Sequence, residues 1–209
     1  MKKYFDELYA EFNNKSRIKS DPVQFVYHYS RLEDCELAGL IASSLAYGRV
    51  EKILQSVSAV LTPLGDQPAE YLKKTHMEFE NIYIGFKHRL NTGDDIALLL
   101  YALRLTLIEY KTLFHLFETQ YSKYENIKDA LAGFSDKIRN NILISATEKK
   151  INIGRSLYLL PTPKDNSPCK RLNLFLKWMI RKDAVDPGIW SGRLGNLKNK
   201  LIIPLDAHI

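Results

Sequence analysis

Apolar residues recur at spacings of three and four along almost the whole chain, and no segment alternates with period two over a useful length. That pattern admits helices packed on helices and leaves little for a sheet. Tyr4, Phe5, Leu8, Tyr9 and Phe12 form the first stripe. Asp21-Pro22 supplies an N-cap with proline at the first helical position and predicts a helix through about His28. Residues 33–47 read as a buried helix, because Leu37, Leu40, Ile41 and Leu45 are joined by small Ala38, Gly39, Ala42 and Ser43, with Gly48 ending or bending it. Residues 50–61 follow as another helix, stopped by Pro63 and Gly65. Residues 76–91 are less regular and lead into Thr92-Gly93-Asp94, a turn suited to cap a helix from Asp95 to about Tyr110. Further helices are expected at 113–121, at 126–144 with a break near Gly133, and at 171–180. Only residues 201–205 fit a short strand, so the fold class is all-α.

The chain has 209 residues, enough for one domain of two helical lobes, and no repeat, low-complexity tract or linker divides it. Apolar residues make up 45% and charged residues 26%, a balance that forms a packed core and excludes disorder. The formal charge of +6 favours polyanionic partners, nucleic acid first. Two cysteines, Cys35 and Cys169, are too few for a disulfide scaffold or a thiolate metal cluster, and no metal or cofactor is expected. The N-terminus reaches Asp6 and Glu7 at once, unlike a signal peptide, and no stretch is long and apolar enough to span a bilayer. A cytoplasmic location, at the nucleoid if the protein binds DNA, is the resulting expectation.

The last forty residues hold the candidate chemistry. Lys170 falls at the start of an apolar helix, where Ser167 or Asn166 is placed to cap and Pro168 suits the first turn. The positive end of a helix dipole favours the free amine, the nucleophilic form, although a solvated lysine at a helix end has the same local features. Asp206, after Pro204-Leu205, fits either the carboxylate partner of such an amine or the N-cap of a following helix. His208 fits either a phosphate contact or an incidental histidine near the chain end. Lys177 lies two turns beyond Lys170 on the same helix face, suited to phosphate or to water. Trp178 and Trp190 fit either base stacking or core packing, and Asp183 and Asp186 read as turn residues.

Lys170-Arg171-Leu172-Asn173-Leu174-Phe175-Leu176, followed by Ile203-Pro204-Leu205-Asp206-Ala207-His208, resembles the catalytic half of helix-hairpin-helix base-excision DNA glycosylases. Those enzymes read Lys-Thr-Ala-Asn with an apolar continuation, then an apolar run into Val-Asp-Thr-His. The Ile-Pro-Leu-Asp form and the longer gap resemble the archaeal 8-oxoguanine DNA glycosylase branch most. Within it, the chain resembles an uncharacterised bacterial family marked by Tyr47-Gly48-Arg49, Trp178-Met179-Ile180-Arg181, Val185-Asp186-Pro187-Gly188-Ile189-Trp190 and Ile-Pro-Leu-Asp. The resemblance to that family covers essentially the whole chain. The resemblance to the glycosylases covers residues 160–209, with an echo at 40–53.

The resemblance implies an all-helical, two-lobed fold with its site in the cleft between lobes, entered by a base flipped out of damaged duplex DNA. It implies Lys170 as the nucleophile, leaving a Schiff base that can cleave the strand, and Asp206 as the group that activates it. Tyr47, Arg49, Arg171, Lys177, Trp178 and His208 are then the expected DNA contacts, with no cofactor, membrane or obligate protein partner. Three features depart from the pattern. Leu160-Pro161 is followed by prolines where the glycosylase hairpin has glycines, and Ser43-Ser44-Leu45 stands where the helix glutamine would be. The glycosylase pattern also continues into a helix beyond the aspartate, so either a fragment or an incomplete C-terminal lobe is expected. The same residues therefore fit a nucleic-acid-binding protein that keeps the fold without catalysis, or an enzyme acting on a nucleoside or RNA.

Overall fold

The structure is a computed structural model in which residues 2–75 and 77–203 are described. It is mostly helical, as the periodicity predicts. Two helices form its centre: α2 (Leu32–Ser44) and α6 (Gly93–Tyr110). Every residue of α2 from Asp34 onward is buried, as is α6 from Asp95 to Leu103. A helix apolar on all sides must be surrounded, and here the cover comes from the elements between and after them. Among these are α1 (Lys2–Phe12), α3 (Val50–Leu61), α4 (Pro68–Lys74) and the short α5 (Phe79–Ile82). After α6 come α7 (Leu113–Tyr124), α8 (Ile127–Lys149) and α9 (Lys170–Ile180). The 23-residue α8 packs along both α6 and α7, and α9 packs on α2.

Buried carboxylates on the central helices fasten the outer ones. Asp34 accepts the backbone N–H of Ala69 at the start of α4, at 2.8 Å. Glu36 accepts the N–H groups of Leu113 and Phe114 at the start of α7, at 2.7 and 3.2 Å. The first N–H groups of a helix have no partner within it, and the positive end of its dipole favours a carboxylate there. Asp95 closes a capping box with Thr92 and also accepts the Arg155 N–H at 2.8 Å, tying the segment after α8 to the start of α6.

The structure differs from the sequence reading in several places. Asp21 caps as expected, accepting from Val23 N–H at 2.8 Å, but the segment Pro22–His28 is a 3₁₀ helix. The helix expected to reach Tyr47 stops at Ser44. The irregular stretch contains α5 and a two-residue antiparallel pair, β1 (Lys87–His88) and β2 (Asn91–Thr92), too short to show a period-two pattern. α8 runs through Gly133 without a break, and a Cβ there would meet only the end of the Gln120 side chain, Oε1 at 2.3 Å. Residues 201–203 are not a strand, and residues 204–205 lie outside the described residues. The connector 160–168 is held against α8, where Ser135 Oγ donates to the carbonyls of Leu160 and Pro161 at 3.2 and 3.0 Å. α1 forms where its stripe predicts, yet Tyr4, Phe5, Tyr9 and Phe12 are exposed. Periodicity defines an apolar face and does not supply its cover.

Candidate functional site

The segment before α9 sets the position of Lys170. Cys169, 2% exposed, occupies the N-cap position with φ +48°, a left-handed conformation that costs an L-residue about 1 kcal/mol or more. Ser167 accepts the Cys169 N–H at 3.2 Å. The cap is thus Cys169, and neither Ser167 nor Asn166 as the sequence suggested. Lys170 becomes the first residue of the helix.

Two clefts share Lys170 and Arg171 as a common wall. The first, about 490 Å³, runs along α9 and is closed on its far side by residues 198–203. Lys170, Arg171, Lys177, Arg181 and Lys198 line it, and no Asp or Glu does among the described residues. The second, about 430 Å³, lies on the other side, where Arg139, Tyr158, Asp165 and Ser167 complete it. Arg139 is engaged there, donating to the Leu160 carbonyl at 3.2 Å and pairing with Asp165 at 3.0 Å.

Arg171 is held from both sides. Its guanidinium carbon lies 4.5 Å from the centre of the Tyr158 ring and 4.9 Å from that of Tyr47. It donates to the Ser44 carbonyl at the end of α2, at 2.6 Å, and to the Tyr158 carbonyl. Burial pulls its pKa below the ordinary arginine value, while the two tyrosines act the other way. Tyr47 is anchored in turn: its hydroxyl donates to Asn91 Oδ1 and its ring meets His88 edge-on at 4.6 Å. Burial pushes the Tyr47 phenol up to about 12 and His88 below its usual value, so both are neutral near pH 7. Through Asn91 Nδ2, which donates to Asp95 Oδ2 at 3.1 Å, the network reaches the start of α6.

At the far end of the first cleft, Asp186 is completely buried and accepts from Arg181 Nε, with the Lys177 ammonium 3.6 Å from its other oxygen. Burial raises its pKa, and the two cations oppose that shift. Asp183 behaves as the turn residue expected, accepting the N–H groups of Val185 and Asp186 at 2.8 Å. Asp186 does more than turn the chain. It offsets charge on Lys177 and Arg181.

The expected contact residues divide by placement. Lys170, Arg171 and Lys177 come together along the first cleft. Tyr47 stands behind Arg171, and Arg49 is exposed at the start of α3. Trp178 is 1% exposed and sits in the core, so its indole packs and does not line either cleft. Trp190 is also in the core, against Phe117 and Phe175. Asp206 and His208 lie outside the described residues. Tyr158, Ser44, Asn91 and Asp186 are contributors the sequence reading did not select. Only Asp186 had a local signal, the Val185-Asp186-Pro187-Gly188 run.

A mostly helical chain with a basic cleft at the start of its last long helix is the class that fold and site define. The family model described as a protein of unknown function (DUF2400) matches residues 21–209, and the chain belongs to that family. No curated protein and no solved structure matches it. Among the described residues no cluster of metal-ligating side chains is found, and no helix is long and apolar enough to cross a membrane.

Proposed function

We propose that the protein is a DNA base-excision glycosylase, with lyase activity through Lys170, acting on an oxidised or otherwise damaged base. The observation that carries this reading is the position of Lys170: first residue of α9, on the wall between two clefts, one of them lined by cations. The basic lining suits a phosphodiester backbone, and a cleft of about 490 Å³ has room for a flipped nucleotide. The resemblance of Lys170-Arg171-Leu172-Asn173 and of the Ile-Pro-Leu-Asp ending to the glycosylases adds the chemistry. On this reading the cleft corresponds to the space between two lobes.

The Lys170 amine attacks C1′ of the damaged nucleotide as the glycosidic C–N bond breaks, and the electron pair leaves with the base. The amine proton passes to the carboxylate assigned to Asp206 or to the departing base. Opening of the sugar ring then gives a Schiff base from which the 3′ phosphate can be eliminated. Water hydrolyses the imine and returns the lysine.

Borohydride trapping tests the proposal. With a panel of lesion-containing duplexes, the expected result is a covalent adduct that disappears in Lys170→Gln. If the protein binds these duplexes yet none yields an adduct, the enzyme reading fails and a non-catalytic nucleic-acid-binding role replaces it. Turnover of free nucleosides without duplex would point to the small-substrate alternative.

A further inference from the structure

We infer that Tyr158 is a stacking platform for an unpaired nucleobase at the mouth of the second cleft, an inference that rests on the proposed reading as a DNA-repair enzyme. Tyr158 is 46% exposed on a 3₁₀ turn, Ser156–Leu159, whose neighbours Ser156 and Leu159 are completely buried. Exposed tyrosines ordinarily sample several side-chain rotamers. This one is fixed by the Arg171 guanidinium, 4.5 Å from its ring centre, and by the edge-on Tyr47 ring at 5.4 Å. Its own backbone carbonyl receives a hydrogen bond from the same arginine. The turn, the ring and the start of α9 therefore form one rigid unit.

Rigidity matters for the energetics. A ligand stacking on a side chain already held in place loses little entropy in fixing it, and stacking on one aromatic ring is sequence-tolerant because every base has a π-face. The position fits the chemistry as well. Tyr158 and Lys170 line the same cleft, with Arg171 as nearby positive charge and Arg139 paired to Asp165. When a damaged base leaves the duplex, its partner or a neighbour loses its own stacking contact. An aromatic ring fixed beside the nucleophile can replace that contact and hold the helix open. The matching stretch for the glycosylase glutamine, Ser43-Ser44-Leu45, is buried and offers no such group.

The test uses the full-length protein and a duplex with an abasic site facing 2-aminopurine, whose fluorescence is quenched when it stacks. Wild type and Tyr158→Phe are expected to quench it and to bind alike. Tyr158→Leu, which keeps apolar volume without a π-face, is expected to leave the fluorescence high and to bind about 5- to 100-fold more weakly. Far-ultraviolet circular dichroism and thermal melting check that each variant folds. If Tyr158→Leu quenches and binds like wild type while the Lys170 adduct still forms, Tyr158 has no stacking role and the enzyme reading stands. If wild type forms no adduct and binds no duplex, the enzyme reading fails and this inference with it.

Discussion

The indole N–H of Trp190 donates to the Glu36 carboxylate at 2.7 Å, joining two residues that are 154 positions apart and both closed to solvent. The same carboxylate receives two backbone N–H groups from the start of α7. Helix α2, helix α7 and the segment after α9 thus meet on one side chain.

Stability should depend on pH through Glu36. Burial raises its pKa from 4.5 to about 7, against the opposing pull of Trp190 and the α7 N–H groups. Between those values the folded protein retains a proton that the unfolded chain has released. The contribution is therefore full below about pH 4.5 and is lost as pH rises through 7. Urea unfolding of wild type and Glu36→Gln across this window should diverge by about 3 kcal/mol, wild type having the steeper fall with pH. Parallel curves would rule the assignment out.

Arg171→Lys should destabilise the protein although it conserves charge. Lysine lacks the planar fork that reaches the Ser44 and Tyr158 carbonyls while lying between two rings. The expected loss is about 2 kcal/mol by urea unfolding, combining hydrogen bonds and cation–π contact. Adduct formation at Lys170 should also slow, because the first turn of α9 loses its anchor. A variant as stable as wild type would show that the sandwich is incidental.

Two glycines should respond with opposite signs. Gly133→Ala places its Cβ against the end of the flexible Gln120 side chain, which can swing away, while alanine favours helix by about 1 kcal/mol. Gly93→Ala places its Cβ 2.0 Å from the Tyr83 backbone carbonyl oxygen, which cannot move without displacing α5. The melting temperature should hold or rise in the first variant. In the second it should fall sharply, with a loss on the order of 3 kcal/mol or more. Equal behaviour would contradict this packing.

Within the candidate site, Lys170 and Lys177 were legible in advance because they repeat on one face of an apolar helix, a local property. Tyr158 and Asp186 were not. Tyr158 gains its place only because Arg171 lies across its ring, and Asp186 because Arg181 and Lys177 fold over it. For Trp178 the sequence left stacking and core packing open, and the fold decides for the core, because the face of α9 that carries it turns inward.

The amino-acid order by itself determined the long helices α2, α3 and α6 to α9, since their apolar spacing, the caps at Thr92 and Asn126, and the stop at Pro63 act within a few residues. It also determined that α2 would be buried, because apolar and small residues fill most of its sides. Tertiary structure alone decided the partners. Glu36 meets Trp190, Ser44 meets Arg171, and Gly133 meets Gln120 through contacts between distant elements. The exposed stripe of α1 belongs to the same lesson: a periodic face states that burial is favourable, and only the assembled fold states whether anything lies against it.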